Sequence, residues 1–201
     1  MVREKNKKIE SLRILKEQFL NNKKLPFFGF RRRNNYLLVA GEGSCRAKIM
    51  FVGEAPGRNE AKTGRPFCGA AGKVFDELLA HIDMKREDIF ITNIVKDRPP
   101  QNRDPLPKEV VAYAPYLDRE IEIIQPKIIV GLGRFSVKYL LQKFGLEEEA
   151  AKPISQSHGK VLLAETFYGK IKIVTLYHPA VAVYNRKQIT ILKKDFGALR
   201  R

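Results

Sequence analysis

Cysteine is scarce in this sequence. Its 201 residues include two, Cys45 and Cys68, and these are not closely spaced. That excludes a disulfide framework, and two thiols cannot make a four-cysteine metal site. Long apolar runs are also missing. None reaches the ~18 residues that a membrane span needs. The start, Met1-Val2-Arg3-Glu4-Lys5-Asn6-Lys7-Lys8, leads into no apolar signal core, so export is not expected and a reducing cytoplasm fits. Nucleotide-binding glycine patterns are absent too. The Gly53–Gly57 loop has neither G-x-G-x-x-G spacing nor a Gly-Lys-Ser/Thr ending, and Gly131-Leu132-Gly133 is better explained by tight strand-to-helix packing. The sequence has no internal repeat and no low-complexity tract.

Acidic residues are few relative to basic ones. Lys and Arg number 38 against 22 Asp and Glu, for a formal net charge of +16. A balance this basic makes a polyanion the leading partner, with nucleic acid ahead of membrane, and places the protein at the nucleoid. Hydrophobic content of 44% is enough for a core. The length fits one domain with an N-terminal extension: residues 1–40 as a helix and basic, aromatic connector, and 41–201 as the main domain.

Apolar periodicity sets the expected elements. Ile9, Leu12, Leu15 and Phe19 predict a helix over residues 5–21. The following Leu25-Pro26-Phe27-Phe28-Gly29-Phe30-Arg31-Arg32-Arg33 reads equally well as a nucleic-acid contact or as a connector packed on the core. Strands are predicted at 48–52, 89–92, 127–131 and 171–176, alternating with helices at 70–82, 107–124, after Gly133 and at 186–199. Such alternation predicts an α/β fold with three αβα layers around a mostly parallel, four-stranded sheet. Right-handed crossovers then put Glu54, Asn93, Gly131 and His178 at one end of that sheet, where open α/β folds bind ligands.

Several motifs follow in order: Gly41-Glu42-Gly43, Val52-Gly53-Glu54-Ala55-Pro56-Gly57, Gly64-Arg65-Pro66-Phe67, Ile91-Thr92-Asn93, Arg98-Pro99-Pro100, Asn102-Arg103-Asp104-Pro105 and Tyr177-His178-Pro179-Ala180. Together they resemble the family 4 uracil-DNA glycosylases, from about residue 41 to the C-terminus. The resemblance implies a uracil-DNA glycosylase-like fold and a monofunctional enzyme of base excision repair. Its substrate would be uracil-containing DNA, and it would work as a monomer. Broader deaminated-base specificity, or a silent DNA-binding relative, are the competing readings.

The resemblance assigns roles that the side chains can perform. Phe67 would stack on the extruded base, and Ala55 would offer its backbone N–H to uracil O2. The Asn93 amide has a donor and an acceptor, matching uracil O4 and N3–H, whereas cytosine reverses one of the two. His178 would hydrogen-bond O2 as the leaving base becomes an anion. Glu54 would orient or activate the attacking water; its form of action stays open between the two. Arg98, Arg103, His158 and Lys160 would contact the DNA backbone. In the loop after His178, Val181 and Ala182 would lie at the wedge that fills the gap left by the base, with Val183 and Tyr184 as other candidates.

Family 4 enzymes typically hold a 4Fe–4S cluster on four cysteines. Here two of the corresponding positions are Asp97 and Tyr113, and no cysteine precedes Cys45. The expectation is therefore that no cofactor and no metal are bound, with Phe27, Phe28, Phe30, Tyr113 and nearby charges packed in that space.

Overall fold

A computed structural model describes residues 2–200. Six strands form one sheet: β1 (Glu42–Gly43), β2 (Ile49–Gly53), β3 (Phe90–Asn93), β4 (Ile128–Leu132), β5 (Val161–Thr166) and β6 (Gly169–Leu176). Their spatial order is β1-β3-β2-β4-β6-β5. The four inner strands pair in parallel, while β1 and β5 pair antiparallel at the two edges.

The four inner strands are those the apolar runs predict. The two edge strands correct the four-stranded expectation. β1 is two residues long and one of them is glycine, so it carries no periodic signal. β5 is joined to β6 by a tight turn through Phe167 and Tyr168, with Gly169 at φ 115°. Glycine adopts a positive φ readily, so Gly169 between two apolar stretches is the sequence's one sign of this hairpin.

The main helices are α1 (Val2–Asn21), α2 (Phe28–Arg33), α3 (Arg58–Thr63), α4 (Ala70–His81), α5 (Pro107–Ile124), α6 (Arg134–Lys143), α7 (Glu147–Ala150), α8 (Ile154–Ser157), α9 (Val181–Tyr184) and α10 (Ile189–Phe196). The predicted last helix divides into a 3-10 turn, α10 and a second 3-10 turn. Side chains alternate across β2, so the sheet feeds two cores. Phe51 faces Phe75, Leu78 and Phe196 on one side. Met50 and Val52 face Leu117, Ile121 and Leu140 on the other. Burial on both faces is why the inner strands read as continuous apolar runs. Each fully buried side chain of this size contributes roughly 1.5–3 kcal/mol.

The N-terminal segment packs against α5 through a third core. Phe19 and Phe27 flank the Tyr113 ring, at centroid distances of 5.6 and 6.0 Å. Arg31 is buried and pairs with buried Asp97 at 3.1 Å. Tyr113 donates its hydroxyl proton to the other Asp97 oxygen at 2.9 Å. Lys8 reaches the Ile124 carbonyl at 3.0 Å, and Asn22 reaches the Tyr116 hydroxyl at 2.9 Å. Of the two readings of residues 25–33, the structure supports core packing for Leu25, Phe27 and Arg31, while Arg32 and Arg33 are exposed. No helix among the described residues is long and apolar enough to cross a membrane.

Candidate active site

The register of the parallel strands brings the site together. Gly53 pairs with Asn93 across β2 and β3, so both strands end at one level. The chain continues in step: the Ile94 N–H donates to the Gly53 carbonyl at 3.0 Å, and the Val95 N–H to the Glu54 carbonyl at 2.9 Å. On the other flank, β6 runs out into Tyr177 and His178, and the Gly133 N–H donates to the Leu176 carbonyl at 2.8 Å. A cleft of about 540 Å³ opens over these strand ends, lined by Glu54, Ala55, Phe67, Asn93 and His178. The five residues expected at the base-binding site therefore share one cavity.

Phe67 is buried and has φ 49°, a left-handed conformation that non-glycine residues rarely adopt. Its ring lies over Gly53, where a Cβ would come within 2.8 Å of the ring. The Phe67 and His178 rings are near parallel, at 25° with centroids 5.5 Å apart. Face-to-face carbon contact is ~3.5–4 Å, so the rings are offset. An offset pair lets a planar base stack on Phe67 while the imidazole meets its edge in nearly the same plane.

Asn93 is buried, and its Oδ1 occupies the space above Gly53 where a Cβ would collide with it. Among the described residues its side-chain amide has no hydrogen-bond partner, which leaves it free for a ligand edge. Its backbone carbonyl is held from below by the Lys96 ammonium at 2.8 Å. Lys96 also bonds Thr92 Oγ1 at 2.5 Å and Glu120 at 2.6 Å. Burial pushes the Lys96 ammonium pKa down and the Glu120 carboxyl pKa up, each opposed by the other's charge. Lys96 and Glu120 escape sequence reasoning because charged residues ordinarily read as surface.

His178 accepts a hydrogen bond at Nδ1 from the Ala180 N–H at 3.1 Å. Desolvation pushes its pKa down to about 4, against a smaller upward pull from Glu60. A neutral ring with Nδ1 acting as acceptor carries its proton on Nε2, and so can donate into the cleft. Glu54 is pushed up to about 7, first by burial and then by the Asp104 carboxylate, with Arg134 pulling the other way. Asp104 and Arg134 are paired with each other. No carboxylate, thiol or imidazole cluster capable of holding a metal occurs among the described residues.

The expected DNA contacts fare unevenly. Arg98 is bonded to the Tyr36 hydroxyl at 2.5 Å and to Asn102 at 2.6 Å. Arg103 borders the cleft and forks onto Glu109 at 2.6 and 2.8 Å. Lys160 pairs with Glu149 at 2.8 Å. His158 bonds Asp195 at 2.7 Å and stacks on Tyr177 at 4.3 Å. Val181 is half-buried against the core. Ala182 differs from the wedge expectation: it is 3% exposed, turned by α9 onto the Phe75 core and away from the cleft lining. Tyr184, on the same turn, is 90% exposed and borders the cleft. Arg58, at the start of α3, also lines the cleft and forms no ion pair among the described residues; no motif had marked it.

Comparison with known proteins agrees with this geometry. A family model described as the Uracil DNA glycosylase superfamily matches residues 40–199. The type-4 uracil-DNA glycosylase of Sulfurisphaera tokodaii is 46% identical over 96% of this chain and 84% of its own length. That of Archaeoglobus fulgidus is 45% identical over 83% of this chain and 81% of its own, and that of Thermotoga maritima 39% over 76% and 75%.

This similarity overturns the expectation that no cofactor is bound, because the type-4 enzymes are a family known to carry a 4Fe–4S cluster. The donor set described here fits such a cluster poorly. Cys45 is buried with its Sγ 4.0 Å from the Lys5 carbonyl, and Cys68 lies against the Thr63 hydroxyl at 3.2 Å. Asp97 and Tyr113 are already bonded to each other, and Asp97 to Arg31. Matched by the family model over residues 40–199 and by these relatives over most of its length, the chain belongs to the uracil-DNA glycosylase superfamily and, within it, to the type-4 enzymes.

Proposed function

We propose that this chain excises uracil from DNA by extruding the nucleotide and hydrolysing its N-glycosidic bond, leaving an abasic site. The observation that carries the reading is the convergence of Phe67, Asn93 and His178 on one cleft, with Gly53 beneath them. Extruding a base costs a few kcal/mol. Stacking on Phe67 offsets ~1–3 kcal/mol of that. The Asn93 amide then reads the edge. Uracil satisfies its donor and its acceptor, and cytosine leaves one mispaired at a cost of roughly 1–3 kcal/mol.

As the glycosidic bond breaks, the sugar gains oxocarbenium character and uracil departs as an anion. The His178 Nε2–H, held neutral by burial, donates to O2 and strengthens its bond as charge develops there. The Glu54 carboxylate orients the water that attacks C1′ and stabilises the cationic sugar. Arg58, Arg103, His158 and Lys160 line the DNA path, where phosphates compete with the acidic partners of the paired cations and give binding its salt dependence. In this reading the chain acts as a monomer, and its +16 charge supports association with DNA at the nucleoid.

The test is cleavage of oligonucleotides carrying uracil, hypoxanthine, a thymine mismatch or no lesion, followed by alkali. Selective strand breaks at uracil are expected. Folded protein that binds DNA and breaks none of them would overturn the reading.

A further inference from the structure

One backbone group from each of four consecutive residues, Pro66 to Gly69, is bonded by two side chains of opposite charge. On the carbonyl side, the Arg86 guanidinium donates to the Pro66 carbonyl at 2.6 Å and to the Phe67 carbonyl at 3.1 Å. On the amide side, one Glu60 oxygen accepts from the Cys68 N–H at 2.9 Å and from the Gly69 N–H at 2.7 Å. Arg86 is itself fixed by Asp76 at 2.9 Å and Glu42 at 3.3 Å. Gly72 completes the seat, since any Cβ there would collide with the Phe67 carbonyl.

A phenylalanine at φ 49° does not hold that conformation unaided. Its surroundings must over-determine it, and charge-assisted hydrogen bonds are the strongest available means. Glu60 lies at the cleft wall, whereas Arg86 comes from the 3-10 turn Arg86–Asp88 and does not line the cleft. Arg86 therefore has no route to the base except through the Phe67 backbone.

We propose that Arg86 and Glu60 are positioning residues for the stacking ring. They hold Phe67 in its left-handed conformation before DNA arrives, so that binding does not have to order it. The inference rests on the reading of Phe67 as the stacking residue. It adds a specific division of labour: a cation on the carbonyls and an anion on the amides of one short segment.

The test is a double-mutant cycle on uracil excision under single turnover, using Arg86→Lys, which keeps the charge and loses the fork, and Glu60→Gln. Each should lower kcat/KM about tenfold when Phe67 is present, the size of one charge-assisted hydrogen bond. Arg86→Lys should change it less than about twofold in a Phe67→Ala background, because the ring through which it acts is gone, whereas Glu60→Gln should keep part of its effect there, since Glu60 also faces His178 across the cleft. Equal losses for Arg86→Lys in both backgrounds would overturn the proposal. If Phe67→Ala itself excises uracil at the full rate, the stacking reading fails, and the positioning role falls with it. A second readout needs no activity. The His178 ring protons sit in the ring current of Phe67, so their NMR shifts should move in Arg86→Lys. Unchanged shifts in a folded variant would also count against the proposal.

Discussion

Asn93 Oδ1 sits in the space that a Gly53 side chain would fill, on the neighbouring parallel strand at the paired register position. The proposed base-edge reader, Asn93, and the proposed stacking ring, Phe67, both rest on one bare backbone position. Gly53 is not needed here for an unusual φ. It is needed because a single methyl would strike both Asn93 and Phe67.

Gly53→Ala should therefore fold and lose function. Overpacking of this kind costs about 1–3 kcal/mol. Uracil excision should drop ~10–100-fold as Asn93 and Phe67 are displaced, with a loss of stability no larger than that range. Kinetics and thermal melts on the same preparation check both halves.

Asn93→Asp should exchange one base preference for another. An ionised carboxylate accepts at both oxygens, which suits the amino group of cytosine and repels uracil O4. Uracil excision should fall by at least about tenfold, from one mispaired buried group. Cleavage at cytosine should become measurable. Paired oligonucleotides with uracil or cytosine at the same position provide the comparison.

The pH profile should report Glu54. Its folded pKa of about 7 means that the carboxylate form is lost as pH falls through 7. His178, near 4, stays neutral across that window and adds no limb. The kcat/KM for uracil excision should rise with pH through about 7 and then level. In Glu54→Gln the limb should disappear and the rate should be low throughout. A limb that persists unchanged in Glu54→Gln would assign it to another group.

Asp97→Ala should destabilise the N-terminal segment. It strands the Arg31 guanidinium in a buried site and removes the Tyr113 acceptor. Breaking a buried pair from one side costs about 3–5 kcal/mol. For a chain of this size each kcal/mol shifts Tm by roughly 2–4 °C. Joint replacement as Arg31→Met with Asp97→Leu should recover much of that loss. Thermal unfolding of the two variants decides.

The inner sheet and the base-binding residues were legible for the same reason. Met50-Phe51-Val52 and Ile173-Val174 are buried on both faces and so read as apolar runs, and Glu54 and His178 follow their strands on stiff loops. What stayed hidden depends on partners distant in sequence. Ala182 lies one turn from the cleft, yet α9 rotates it into the core. Arg31 and Lys96 look like surface cations until Asp97 and Glu120 are brought against them. Arg86 bonds backbone carbonyls, which have no side-chain signature. The need for a glycine at position 53 appears only when its neighbour on β3 is known.

The strand order also sets when the enzyme can become active. β6, which delivers His178, docks beside β4 and also pairs with β5, whereas Gly53 and Asn93 are joined by the earlier pairing of β2 with β3. A chain growing from its N-terminus can thus pair Gly53 with Asn93 before His178 has been synthesised. Non-local parallel pairing is slow to form. During refolding, the return of uracil excision should lag the return of sheet structure. Pairing of β6 with β4 is then the step that completes the site, bringing His178 beside Gly53 and Asn93.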